Sequence, residues 1–238
     1  QNPKHHQSFV DSMYKEYDRI SQISRDHVSK LVSYEDAVAS KEQLNFDATT
    51  IYKPNFIGIK KVTASIPELI PYIDWTFFFT AWEMKKRFPD ILDDPVIGNE
   101  AQKLYNDALT MLNQLAKDQS LQAEGVLAIH EAYSDGDDII VVTPEKEYRL
   151  YNYRQQKENS AYLALSDFIA PKSANIRDYI GGFIVTAGLG VDALVKSYHA
   201  HHDDYNSLLV RVLADRLAEA FAEKLHADVR KEYWGYAA

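Results

Sequence analysis

The strongest constraint on this chain is a run of 35 residues, 202–236, that contains no proline and repeats apolar side chains at helical spacing for most of its length. Tyr205, Leu208, Leu209, Val212 and Leu213 recur at the three-and-four interval of a buried helix face, and Leu217, Phe221, Leu225 and Val229 extend the stripe in steps of four. The run predicts one long amphipathic helix. Glu219 stands seven residues after Val212 and eleven after Leu208, intervals that return to the same side of a helix, so a carboxylate is expected on that apolar face. Ala218, Ala220 and Ala222 around it are small and leave the surface near the acid shallow. Glu219 is therefore a candidate ligand contact. The competing reading is a solvated glutamate paired with Arg216, three residues earlier.

Charge narrows the class of partner. Lys and Arg number 26 against 35 Asp and Glu, a formal net charge of −9. That balance disfavours nucleic acid and anionic membranes and suits a cationic ligand. A chain of 238 residues can bury one good core with a helical extension besides. With no cysteine, disulfides and thiolate chemistry are excluded. A reducing compartment, hence the cytoplasm, and a monomer are expected. No window approaches a membrane span, and the first ten residues lack the basic-then-apolar order of a signal peptide. The missing initial methionine suggests a piece of a longer or processed protein. The 16 tyrosines predict many half-buried rings with a polar end to satisfy.

From residue 8 to about 33, Phe9, Met13, Tyr17, Ile20, Ile23, Val28 and Leu31 make a narrow apolar stripe on an otherwise polar helix. It reads as a connector, residues 1–50, with irregular chain from 34 to 56 and the main domain at 51–238. Residues 56–64 alternate as a first strand. Pro67 and Pro71 block helix until about Asp74, after which one is allowed. Ala101, Leu104, Ala108, Met111, Leu112 and Leu115 predict a helix over 97–117. Residues 125–129, 138–142 and 148–153 then read as three short strands joined by turns at Asp135-Gly136 and 143–146, an antiparallel meander, with a further strand at 179–186. The fold class is α+β: a twisted antiparallel meander flanked by long helices, with an N-terminal helical connector.

Three constellations bear on chemistry. Gly188, Gly190 and Ala193 match the G-x-G-x-x-A form of a dinucleotide loop, but the following chain is helical and no βαβ unit closes. A tight strand-to-helix turn explains these glycines better. His199, His201, His202, Asp203 and Asp204 are dense in possible metal ligands, yet their spacing selects no metal, and a polar helix start is the simpler reading. Asp74 lies among apolar neighbours where the chain leaves the proline-restricted segment. It suits a helix N-cap and equally a ligand contact, since one carboxylate has two oxygens to offer. No nucleophile elbow or Ser-His-Asp order supports a hydrolase.

The runs YIDWTFFFTAW (72–82), ILDDPVIGNEAQKLYNDA (91–108), LSDFIAPK (165–172), DYIGGFIVTAG (178–188) and the 202–236 stretch resemble the activation domain of cobalamin-dependent methionine synthase. The resemblance covers about residues 56–238 and makes residues 1–50 a connector from a cobalamin-binding domain. It implies a module that binds S-adenosylmethionine and supports reductive methylation of cob(II)alamin, carried by that neighbour, with flavodoxin or a flavoprotein reductase as electron donor. It assigns Asp74 and Glu219 as S-adenosylmethionine contacts and suggests Asp215 near the cobalamin-domain interface. The alternative is a docking module that meets the same partners without binding the methyl donor. The family's Arg-x-x-x-Gly-Tyr-Pro motif is expected downstream of the WGY segment, past Ala238.

Overall fold

The computed structural model describes residues 3–26, 30–42, 44–47 and 49–237. Its architecture is α+β, a five-stranded antiparallel sheet with helices against one side. The strands are β1 (Gly58–Ala64), β2 (Gln122–Asp135), β3 (Asp138–Val142), β4 (Glu147–Leu150) and β5 (Asp178–Leu189). β2 is far longer than the expected 125–129. It pairs with β5 from Gln122 to Ala132, with β1 from Ala123 to Ile129 and with β3 from Glu131 to Asp135. Because β5 overlaps both other partners along β2, it takes one edge while β1 and β3 share the other end to end. The expected antiparallel meander is present as β2, β3 and β4, and the further strand, β5, returns to pair with β2.

The helices are α1 (Pro3–Asp26), α2 (Tyr34–Ala39), α3 (Ile66–Leu69), α4 (Trp75–Ala81), α5 (Gly98–Asp118), α6 (Val191–Ala200) and α7 (Asp204–Asp228). α5 buries the six residues that its periodicity picked out. The prolines do not hold off helix until Asp74. Pro67 sits in the first turn of α3, where a missing N–H is harmless, and Pro71 opens a 3-10 turn over Ile70–Tyr72. α1 is described as far as Asp26, and residues 30–33, expected within that helix, are not helical. Phe9, Tyr14, Tyr17 and Ile20 on it are exposed, and Val28 of the expected stripe lies outside the described residues.

The 202–236 run is also shorter as α-helix than its pattern suggests. Asp203 caps α7 by accepting from the Asn206 N–H at 3.0 Å, and after Asp228 the chain widens into a π turn, Val229–Tyr233. The buried stripe is Leu209, Leu213, Leu217, Phe221 and Leu225, supported by Val210, Ala214 and Ala220. These residues join Leu69, Phe78, Phe79, Ile91, Leu112, Leu127 and Ile129 in the main core. Truncating any one of the stripe leucines to alanine would cost about 2–5 kcal/mol.

A second, polar centre fixes the region that lacks regular structure. Arg154 is fully buried and uses all five N–H donors. Two go to Asp137 from Nε (3.0 Å to Oδ2) and Nη2 (2.5 Å to Oδ1), two to Asp167 at 2.7 Å each, and one to the Tyr162 carbonyl at 2.5 Å. Residues 30–42, expected as the end of a connector, are tied to this centre. Tyr34 Oη donates to Asp137 at 2.9 Å, Lys41 Nζ lies 3.4 Å from Asp167, and the Val32 N–H donates to the Gln156 carbonyl. Burial raises the Asp167 pKa, but the Arg154 and Ala164 N–H bonds outweigh it and hold that carboxyl at about 2. Asp137 is likewise lowered, with Arg154 and Tyr34 outweighing its burial.

Replacing Arg154 by Met should therefore cost about 3–5 kcal/mol in urea unfolding at pH 7, because two buried carboxylates lose their counterion. The sign with pH follows from folded pKa values below the unfolded value of about 4: the stabilisation is present above that pH and fades as pH falls towards 2. The gap between parent and R154M should shrink over that window. A constant gap from pH 7 to pH 2 would place the effect elsewhere.

Candidate functional site

Asp74 is built by the local sequence. Ser65 and Glu68 form a capping box, with the Ser65 N–H and hydroxyl both donating to Glu68, and this starts α3. The 3-10 turn follows, Ile73 is extended, and Asp74 becomes the N-cap of α4. Its Oδ1 accepts from the Thr76 N–H at 2.9 Å and the Phe77 N–H at 3.4 Å. Oδ2 takes no hydrogen bond among the described residues. The cap reading is realised, and one oxygen is left over.

Glu219 shares a face of α7 with Leu208 and Val212, as the spacing predicted, but that face points outward. Leu208 is 48% exposed and Glu219 is itself exposed, so the expectation of a carboxylate set into a buried apolar face is corrected. Its Oε2 is paired with Arg216 Nη1, the competing reading from the sequence. The same guanidinium donates to Asp215 Oδ2 at 2.5 Å and lies over the Phe77 ring, 5.8 Å from its centroid. Arg216 thus joins the two helices: Asp215 and Glu219 attach to its nitrogens, while Phe77, whose own N–H is held by Asp74, lies against its flat side. Two carboxylates, Asp215 and Glu219, meet one cation, a surplus of one negative charge on a half-open surface that attracts an organic cation.

Along the same helix a groove of about 550 Å³ runs between β5 and the C-terminal half of α7. Gly181, Gly182 and Phe183 line one side, Glu223 and His226 the other. Glu223 and His226 follow Glu219 by four and seven residues and so share its side of the helix. Trp234 and Tyr236 close one end. The Trp234 Nε1–H donates to the Tyr52 carbonyl at 2.9 Å, and the ring packs closely on Gly181, where a Cβ would lie 3.2 Å from it. Sequence reasoning named Arg216 only as a rival partner and did not single out Phe77, Trp234 or the groove. The signal for Arg216 was its i,i+3 relation to Glu219; a groove formed by a π turn has no comparable signature.

The remaining candidates resolve structurally. Gly190, at φ +108°, is the turn between β5 and α6, where any Cβ would meet the Ser120 carbonyl oxygen, and antiparallel β5 makes no βαβ unit. His199 Nδ1 lies 3.2 Å from Asp204 Oδ1 and its Nε2 3.2 Å from Ser207 Oγ. Among the described residues no group of three His, Asp or Glu side chains is placed to hold a metal.

Asp74→Ala should lower stability by about 1 kcal/mol in urea unfolding, whereas Asp74→Asn, which can still cap, should stay within a few tenths. Equal losses in both would mean that charge, not capping, anchors α4.

The family model for the activation domain of vitamin B12-dependent methionine synthase matches residues 65–238. A crystal structure of the MetH reactivation domain bound to AdoHcy superposes with a TM-score of 0.83 at 43% sequence identity. The match covers 87% of this chain and 66% of that one, so this chain spans somewhat less than two thirds of its relative's length.

Proposed function

This chain belongs to the family of vitamin B12-dependent methionine synthase activation domains, and we propose that it binds S-adenosylmethionine at the Asp74–Glu219 surface to support reactivation of the enzyme. The observation that supports this reading is that Asp74, which holds the Phe77 N–H, and Glu219, paired with the Arg216 that lies over the Phe77 ring, each keep one oxygen that accepts no hydrogen bond among the described residues. The ligand's ammonium and sulfonium are the charges such oxygens would hold. The solved relative, with AdoHcy, holds the demethylated form of the same molecule.

When presented by the neighbouring domain and reduced by one electron, cobalamin would supply the nucleophile for the methyl group, and this chain would hold the methyl donor for it. The sulfonium leaves as a neutral thioether, so the step asks the chain for no proton. What the chain contributes is position: two carboxylates fix the cation, and the rigid α4–α7 pair sets the direction in which the methyl group points. Asp215, four residues before Glu219 and mostly exposed, faces outward where the cobalamin-binding domain would approach. Flavodoxin or a flavoprotein reductase is the proposed electron donor. The complete transfer from 5-methyltetrahydrofolate to homocysteine needs the enzyme's other modules, and this chain alone, a monomer in the cytoplasm, would turn over no methionine.

Calorimetric titration tests the site. Asp74→Asn and Glu219→Gln should each weaken S-adenosylmethionine binding about tenfold without loss of fold. A carboxylate on the sulfonium would spare S-adenosylhomocysteine, and one on the ammonium would weaken both ligands alike. Unchanged affinity in both variants overturns the assignment, and no binding by the parent favours the docking module.

Asp215 has a separate test. In the full enzyme, Asp215→Lys should slow reductive methylation while ligand affinity stays the same. Unchanged reactivation would remove Asp215 from the interface.

A further inference from the structure

A second groove, of about 400 Å³, lies between α5 and the start of α7, away from the Asp74–Glu219 surface. α5 supplies Asp107, Met111, Leu115 and Asp118, residues spaced by four, four and three and hence on one face. Opposite them stand Leu194 and Tyr198 of α6 and Tyr205 in the first turn of α7. Along its middle the wall combines these apolar and aromatic side chains with the polar Thr110 and Gln114, and one carboxylate stands towards each end. Asp107 and Asp118 are 11 residues apart, which at 1.5 Å per residue separates them by about 16 Å along the helix.

Both acids are hydrogen-bonded but uncompensated. Asp107 Oδ2 accepts from Tyr205 Oη at 2.8 Å, and Asp118 Oδ2 accepts from the Gln114 side-chain amide. Neither has a cation within ion-pair distance among the described residues, and no Lys, Arg or His lines the groove. Tyr205 is pushed up to about 12 by burial and by Asp107, so it remains a neutral donor that fixes this carboxylate. The Trp82 ring, 5.6 Å from that of Tyr205, steadies it from behind.

We propose that this groove binds a linear aliphatic polyamine, its hydrocarbon segments along Met111, Leu115 and Leu194 and its terminal ammonium groups at Asp107 and Asp118. Charge complementarity selects the class and the separation of the acids selects the length. A single ammonium can meet only one carboxylate, and a short diamine cannot reach both. The tyrosine rings add attraction for methylene-flanked cations. Tyr205 lies 14 residues before Glu219, about 21 Å along α7, so this site is independent of the proposed S-adenosylmethionine contacts.

The probe is spermine, titrated calorimetrically into this chain beside 1,4-diaminobutane and a spermine acetylated on both terminal nitrogens. Spermine should bind one-to-one, and the two comparison amines at least about fivefold more weakly. Asp107→Asn and Asp118→Asn should each weaken spermine about three- to tenfold while leaving S-adenosylmethionine affinity untouched. The idea is overturned if 1,4-diaminobutane binds as tightly as spermine, which would mean that reach between the two acids does not matter, or if neither variant changes spermine affinity, which would mean diffuse attraction to an acidic protein. A failure of S-adenosylmethionine binding in the parent would bear only on the other site.

Discussion

The structure depends on how β2 divides its burial. Side chains alternate strictly across a strand, so a change in which residues are buried is a change of face. In the first half Ala123, Leu127 and Ile129 are buried; in the second, Ala132 and Ser134 are. The parity flips near residue 130, where the pairing on one edge passes from β1 to β3. Each half therefore needs its own cover on opposite sides. Helices α5 and α7 cover the first. The irregular chain around 164–171 covers the second, with the Ser134 N–H and hydroxyl donating to the Ala170 and Ile169 carbonyls.

Irregular chain cannot satisfy its own backbone as a helix does, and this explains the buried charge beneath it. Arg154 spans the distance from the β2–β3 turn, through Asp137, to the covering segment, through Asp167. A leucine could fill the space but could not orient three chain segments at once. Arg216 illustrates the opposite regime. It also holds two carboxylates, but on an open surface, where such pairs are worth about 0–1 kcal/mol each. The same side chain is a permanent staple in one place and a weakly held occupant in the other. The difference lies in solvent access.

What the sequence made legible follows from this division. Elements with a long periodic face, α5 and the core stripe of α7, stood out because their burial is on one side throughout. β2 was read as five residues instead of fourteen because a strand that changes its buried face breaks the alternation that marks a strand. The return of β5 to β2 is a long-range pairing that no local pattern encodes. Asp74 was legible as a cap because its chemistry is local. The site's other half was not: Phe77 reads as core among Phe78 and Phe79, and only the packing of α4 on α7 turns it outward under Arg216. Spacing placed Glu219 on the face of Leu208 and Val212, but it could not say that this face is turned to solvent.

The competition at Arg216 has a physical consequence for a cationic ligand. At the proposed site an incoming ammonium or sulfonium would not meet a bare Glu219 carboxylate. It would meet an acid already partly neutralised by a guanidinium that also holds Asp215. Moving Arg216 off Glu219 leaves it bonded to Asp215 and lying on Phe77, so the exchange trades one exposed pair for another rather than stripping a buried charge. The low worth of an exposed pair is what makes the exchange inexpensive. A site built on a buried pair, such as that of Arg154, would hold its acids too firmly to release either.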